Sequence, residues 1–239
     1  MATEDGETTE SGGGLSVDRV LSAPDGEEVP IVSDRALPEI LFDHVEEHGD
    51  DIALRWKRYG IWQEFTWEEY YERVEHFALG LETYGFDEGD VLFTIGYNRP
   101  HQLWAWMAAQ SLGGMAAPNY EDMLPDDIRK QLQLLEPSVV YAEDQEMVDK
   151  LLLVADDVPS LDTIIYRDPK GMFRYDDHEN PEIVSYEHVE ELGAERLETG
   201  EVADDYLHGR VQAIDPDTPA MLPPTSGTTG MPKRVKLSH

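Results

Sequence analysis

Cysteine is absent from the 239 residues, which excludes disulfides and thiolate metal sites and is consistent with a reducing compartment. No apolar run reaches the length of a membrane span, because the longest candidate, residues 103–117, is broken by Gln110 and Ser111. The opening MATEDGETTE is acidic and lacks the positive and apolar regions of a signal peptide. The chain therefore reads as soluble and cytoplasmic. Positive charge is also scarce: 18 Lys+Arg stand against 51 Asp+Glu, a formal net charge of −33. Such a field disfavours nucleic acid and anionic lipid as partners, and its self-repulsion destabilises the compact state at low ionic strength. No internal repeat is present.

Acids are themselves missing from two long windows. Residues 91–120 contain none and are apolar, which is what burial requires. Residues 218–239 also contain none, yet they are rich in small polar groups and carry Lys233, Arg234 and Lys236. This local reversal of charge suits an anion. Within it lies TSGTTGMPK, Thr225 to Lys233. Gly227 and Gly230 allow positive φ and a close backbone approach, successive N–H groups can form an anion nest, and Thr225, Ser226, Thr228, Thr229 and Lys233 add donors and charge. A Walker A loop fails on spacing, since Gly227 and Gly230 are three apart and Lys233 follows Pro232; no G-x-G-x-x-G exists either. The bland alternative is a polar surface loop. The Pro-Lys that follows and the acid-free surroundings favour a phosphate site.

Patterning predicts an acidic, unstructured tail over residues 1–34, with Gly12-Gly13-Gly14 and few large apolar groups. Order is expected over 35–239. Leu37, Ile40, Leu41 and Val45 share a helical face that Gly49 ends; Ile52, Leu54 and Trp56 alternate, turn through Arg58-Tyr59-Gly60 and return over 62–65 as a hairpin. Thr66 to Glu69 is a capping box opening a helix with Tyr70, Val74, Phe77, Ala78 and Leu81 on one face. Strands are then expected at 91–95, 115–118, 139–142 and 163–166, alternating with helices at 100–112, 125–135 and 145–155. That alternation implies βαβ units around a mostly parallel sheet, an α/β fold. A polar loop at 170–180 and a final helix at 186–197 follow, with short strands at 220–222 and 235–237 on either side of the phosphate loop.

Other constellations weigh less. His44-Val45-Glu46-Glu47-His48 matches H-x-x-E-H, but two His flanking acids arise easily in so acidic a chain and no third ligand is indicated, so no metal site is assigned. The remaining histidines are isolated, the carboxylate pairs Glu68/Glu69 and Asp126/Asp127 suit helix starts, and Trp104, Trp106 and Met107 read as core.

TSGTTGMPKRVKLSH, Thr225 to His239, resembles the signature of the adenylate-forming, AMP-binding superfamily. YGIWQEFTWEEYYERV at Tyr59, Asn98-Arg99-Pro100, AEDQEMVDKL at Ala142 and IIYRDPKGM at Ile164 are similar to its long-chain fatty acyl-CoA synthetase branch. The likeness runs from about Leu37 to His239. It implies the N-terminal part of the ligase's large domain, and a two-step reaction: ATP and a fatty acid give an acyl-adenylate and pyrophosphate, then coenzyme A takes the acyl group. Thr225, Ser226, Gly227, Thr228, Thr229, Gly230 and Lys233 would hold the β- and γ-phosphates, with Mg²⁺ sharing the charge. The chain departs from the pattern at Pro223-Pro224, where an aromatic residue is usual and where two lost N–H groups should disturb strand pairing, and at Arg234, where glycine is usual. It also stops before the family's adenine, Mg²⁺ and ribose motifs and its lid domain, so no complete catalytic set is expected in this chain alone. The resemblance thus implies a fragment, completed by a second chain or self-associating at its truncated edge; the rival is a non-catalytic remnant or scaffold. The acidic balance itself resembles that of proteins from extreme halophiles.

Overall fold

Alternate residues of the central strands face opposite sides, and that two-residue period sets the architecture. In the computed structural model, which describes residues 20–22, 28–30, 35–175, 178, 180–225 and 233–239, the chain divides into units 1–34 and 35–239. The first, read as an unstructured tail, lies outside the described residues except for one antiparallel pair, β1 (Val20–Ser22) and β2 (Glu28–Pro30).

The second unit opens with α1 (Leu37–His48). Gly49 does follow it, but in right-handed geometry, φ −44°, so no left-handed cap ends the helix. The expected hairpin is β3 (Ile52–Arg58) and β4 (Ile61–Thr66), turning through Tyr59 and Gly60, both at positive φ as a two-residue hairpin turn requires. Thr66 caps α2 (Trp67–Thr83): its hydroxyl accepts from Glu69 N while the Glu69 carboxylate accepts from Thr66 N at 2.9 Å.

Then come β5 (Val91–Ile95), α3 (Pro100–Ser111), β6 (Met115–Asn119), α4 (Pro125–Leu135), β7 (Val139–Ala142), α5 (Gln145–Leu152) and β8 (Thr163–Tyr166). Both α3 and α4 begin on a proline, which is at home in a first turn. Helix α5 is shorter than expected: its end tightens into a 3₁₀ turn at Ala155–Asp157. The chain continues through β9 (Glu182–Ser185), α6 (Tyr186–Glu198), α7 (Tyr206–Gln212), β10 (Pro219–Met221) and β11 (Leu237–Ser238). Strand β9 and helix α7 were not expected, so α6 is not the last helix.

Seven strands form one sheet in the order β11-β10-β6-β5-β7-β8-β9, parallel except at β11. Leu92, Val139, Tyr141 and Ile165 face a core built with α2, α3 and α6; Phe93, Ile95, Val140, Ala142 and Ile164 face a second core built with α4 and α5. From β5 the chain passes by α3 to β6 on one side, and α4 then carries it back past β5 to β7 on the other. The connections leaving β5 and β6 therefore go to opposite faces, and a crevice opens at their C-terminal ends.

Candidate functional site

That crevice holds a cavity of about 440 Å³ walled by the end of β5 (Gly96, Asn98), the end of β6 (Pro118, Asn119), Gln102 and Trp106 of α3, and Pro223-Pro224 after β10. Its walls are close-packed from behind. A Cβ on Gly96 would come within 2.8 Å of Glu143 Cβ and 3.1 Å of Gln102 Oε1, so the strand end needs glycine there. Asn119 Nδ2 donates to Thr94 O at 3.2 Å and Ala117 O at 2.8 Å, which ties the β6 end to β5. Trp106 Nε1 donates to Thr94 Oγ1 at 2.8 Å. Gln102, only 3% exposed, leaves Oε1 without a hydrogen-bond partner.

Next to this cavity stands the stem of the phosphate loop. Thr225 N and Thr225 Oγ1 both donate to Lys233 O, at 2.7 and 3.0 Å, and Val235 N donates to Pro223 O at 3.1 Å. Pro224 and Arg234 face each other in an antiparallel bridge. The structure thus brings together Thr225 and Lys233, the two ends of the expected phosphate-binding set, and leaves Lys233 exposed. Ser226, Gly227, Thr228, Thr229 and Gly230 lie outside the described residues. The expected disturbance at the prolines takes a definite form: β10 stops at Met221 and meets β6 at one register pair, Met221 with Ala116, yet the stem beyond remains paired through the carbonyls of Pro223 and Lys233.

Arg234 is half-buried under this stem. Its Nε donates to Gln131 Oε1 at 2.7 Å, Nη1 to Leu222 O at 2.6 Å and Pro118 O at 3.4 Å, and Nη2 to Asn119 Oδ1. The guanidinium carbon lies 5.8 Å from the Phe93 ring centroid. Burial lowers its pKa to about 10, which leaves it charged at neutral pH.

A second polar group fills the ends of β7 and β8. Glu143, 1% exposed, lies 3.1 Å from Arg99 Nε and 3.8 Å from Arg167 Nη1, and accepts from Tyr141 OH at 3.1 Å. Burial raises its pKa, against the pull of the two arginines. Nearby His101 is pushed down to about 3 by burial and then by Arg167, Arg73, Arg58 and Arg99. Its imidazole is thereby held neutral at physiological pH. The H-x-x-E-H stretch sets the rings of His44 and His48 5.9 Å apart on α1, with His44 stacked edge-on to Trp67; among the described residues no group of three metal-ligating side chains converges.

Sequence spacing nominates the loop but not Gln102, Asn119, Gln131 or Glu143, whose positions arise from packing across the sheet. Arg234 carried one signal, its bulk where glycine is usual.

The profile of the family described as AMP-binding enzyme matches residues 41–239. The long-chain-fatty-acid–CoA ligase heimdall of Drosophila melanogaster is 31% identical over 213 residues, 87% of this chain and 30% of that protein. The long-chain-fatty-acid–CoA ligase ACSBG2 of Xenopus laevis is 27% identical over 202 residues, 84% of this chain and 26% of its own length. The chain thus spans less than a third of these relatives. Among solved structures, the luciferase-like enzyme of Zophobas morio superposes with a TM-score of 0.69 at 20% identity, over 92% of this chain and 46% of that one. Acetoacetyl-CoA synthetase from Streptomyces lividans gives 0.67 at 20%, over 84% and 30%. At that identity the likeness is one of fold.

Proposed function

The chain belongs to the AMP-binding enzyme family, and from that premise we propose that it supplies the N-terminal, phosphate-binding part of an ATP-dependent, AMP-forming long-chain fatty acid–CoA ligase. The observation that carries the reading is the stem joining Thr225 to Lys233 beside the crevice at the sheet's C-terminal edge, the place where open α/β sheets bind ligands. The residues fit an anion: the hydroxyls of Ser226, Thr228 and Thr229, the Lys233 ammonium and the loop N–H groups are all donors, in a window free of acids.

In the proposed reaction a fatty-acid carboxylate oxygen bonds to the α-phosphorus of ATP as the bond to the bridging oxygen of pyrophosphate breaks. The loop donors hold the β- and γ-phosphates in place and stabilise the charge the leaving pyrophosphate gathers. Mg²⁺, when bound, shares that charge. The thiol of coenzyme A then forms the thioester, AMP departs, and the thiol proton passes to solvent.

Two measurements test this. The 239-residue chain is expected to bind MgATP, and Lys233→Ala to weaken that binding at least about tenfold, the worth of one charge-assisted hydrogen bond. Pyrophosphate release that depends on a long-chain fatty acid is expected when the chain is combined with the protein fraction of its own cells. A folded chain that binds no MgATP overturns the nucleotide reading, and release driven only by short or aromatic acids overturns the long-chain substrate.

A further inference from the structure

A parallel ladder repeats every two residues, so the bond from Leu222 N to Ala116 O at 2.8 Å should be followed by one from residue 224 N to the carbonyl of residue 118. Residue 224 is proline and has no N–H, and the reciprocal bond from residue 118 N to Leu222 O is lost as well, because residue 118 is also proline. The strand that leads into the phosphate loop therefore loses its backbone hold on β6 just where the loop begins. The missing donors come from a side chain on the other foot of the loop. Arg234 Nη1 reaches Pro118 O at 3.4 Å and Leu222 O at 2.6 Å, Nη2 reaches Asn119 Oδ1, and Nε reaches Gln131 Oε1 of α4 at 2.7 Å.

We propose that Arg234 is a positioning residue for the phosphate loop: its guanidinium replaces the ladder bonds that Pro224 and Pro118 cannot make, clamping both feet of the loop to β6 and α4. The inference rests on the nucleotide reading above. Three features single this arginine out. Its partners belong to three separate segments, the entering strand, β6 and α4, so one side chain fixes the stem against two neighbouring elements. Asn119 and Gln131 are themselves buried, 6% and 1% exposed, so the clamp is anchored in the core and not in a mobile surface group. Among the described residues no carboxylate forms an ion pair with it, so its charge adds to that of Lys233 at the loop's base in a protein of net charge −33. Lysine cannot substitute geometrically, since a single ammonium lacks the planar fork that spans such spaced acceptors.

The test uses the full chain and Arg234→Lys, which keeps the charge, with Arg234→Met as the neutral counterpart. Hydrogen exchange of the Thr225 and Val235 amides, which pair across the stem, is expected to quicken at least about tenfold in Arg234→Lys while amides of β5, β7 and β8 stay unchanged. MgATP affinity is expected to fall at least about fivefold in Arg234→Lys and further in Arg234→Met, at a melting temperature within a few degrees of the parent for the lysine variant. Unchanged stem exchange, or exchange that rises equally through the whole sheet, overturns the clamp. Quickened exchange with unchanged MgATP affinity overturns its link to the nucleotide. A parent chain that binds no MgATP overturns the nucleotide reading itself, and the exchange comparison still decides the clamp.

Discussion

Glu190 shows how a single buried group can be read through pH. It is 8% exposed on α6 and accepts from Arg73 Nη1 of α2 at 3.1 Å, while its other oxygen has no hydrogen-bond partner. Burial raises its pKa from 4.5 to about 7, Arg73 pulling it down and Glu187 and Glu72 pushing it up. The folded state thus binds a proton more tightly than the unfolded one. Between pH 4.5 and 7 folding takes up that proton, and stability falls as pH rises through this window. Glu190→Gln keeps an acceptor for Arg73 and never ionises. It is expected to melt above the parent at pH 8, by up to about 3 kcal/mol, with the advantage fading as pH falls from 7 toward 4.5. Melting curves at pH 8 and 5 check this; a variant less stable at pH 8 means that the ionised carboxylate is a net stabiliser. Little of this was legible beforehand, because Glu190 is one of 51 acids in the sequence and only packing distinguishes it. The loop residues could be nominated from sequence because their chemistry is contiguous, whereas Arg234 and Asn119 are 115 positions apart.

At the scale of elements, α2 and α6 cross at unusually close range. A Cβ on Gly80 would lie 1.9 Å from Val189 O, and one on Gly193 would lie 1.8 Å from His76 O. The contact is with backbone, so no side-chain rotation can relieve it. Gly193→Ala must push the helices apart and is expected to cost at least about 2 kcal/mol, read as a lower melting temperature; an unchanged one would show that the helices are not held this closely. Helices α2, α3 and α4 announce themselves by a capping box or a leading proline, and β5, β7 and β8 by short apolar runs. Strand β9 is four residues long and begins with Glu182; what makes it a strand is its parallel pairing with β8, Ile164 opposite Ile183. Helix α7 has seven residues, too few to show a period. It is fixed by tertiary bonds instead: Arg210 donates to Glu82 Oε1 and to Leu112 O, both at 3.0 Å.

For the molecule as a whole, charge is the dominant variable, and salt acts on it in two opposing ways. Screening weakens attractive pairs such as Lys130 with Asp127 at 3.0 Å and Arg55 with Glu64 at 2.8 Å, but exposed pairs of this kind contribute only about 0–1 kcal/mol each. Screening also relieves the repulsion among the 51 − 18 = 33 acids in excess, which act on one another throughout the structure. At 0.01 M the Debye length is about 30 Å, long enough for each charge to feel the rest of the domain, and at 1 M it is about 3 Å. The repulsive sum outweighs the few pairs, so stability is expected to rise with ionic strength. Potassium chloride is the right titrant, because sulfate would also strengthen apolar burial. The far-UV circular dichroism signal and melting temperature are expected to increase from dilute buffer to molar KCl, most steeply below about 0.1 M, where the Debye length still exceeds roughly 10 Å. A rise only above that range would point to ion binding or to general salt effects on burial, and equal folding at both ends would mean that the excess acids are spaced widely enough to ignore one another.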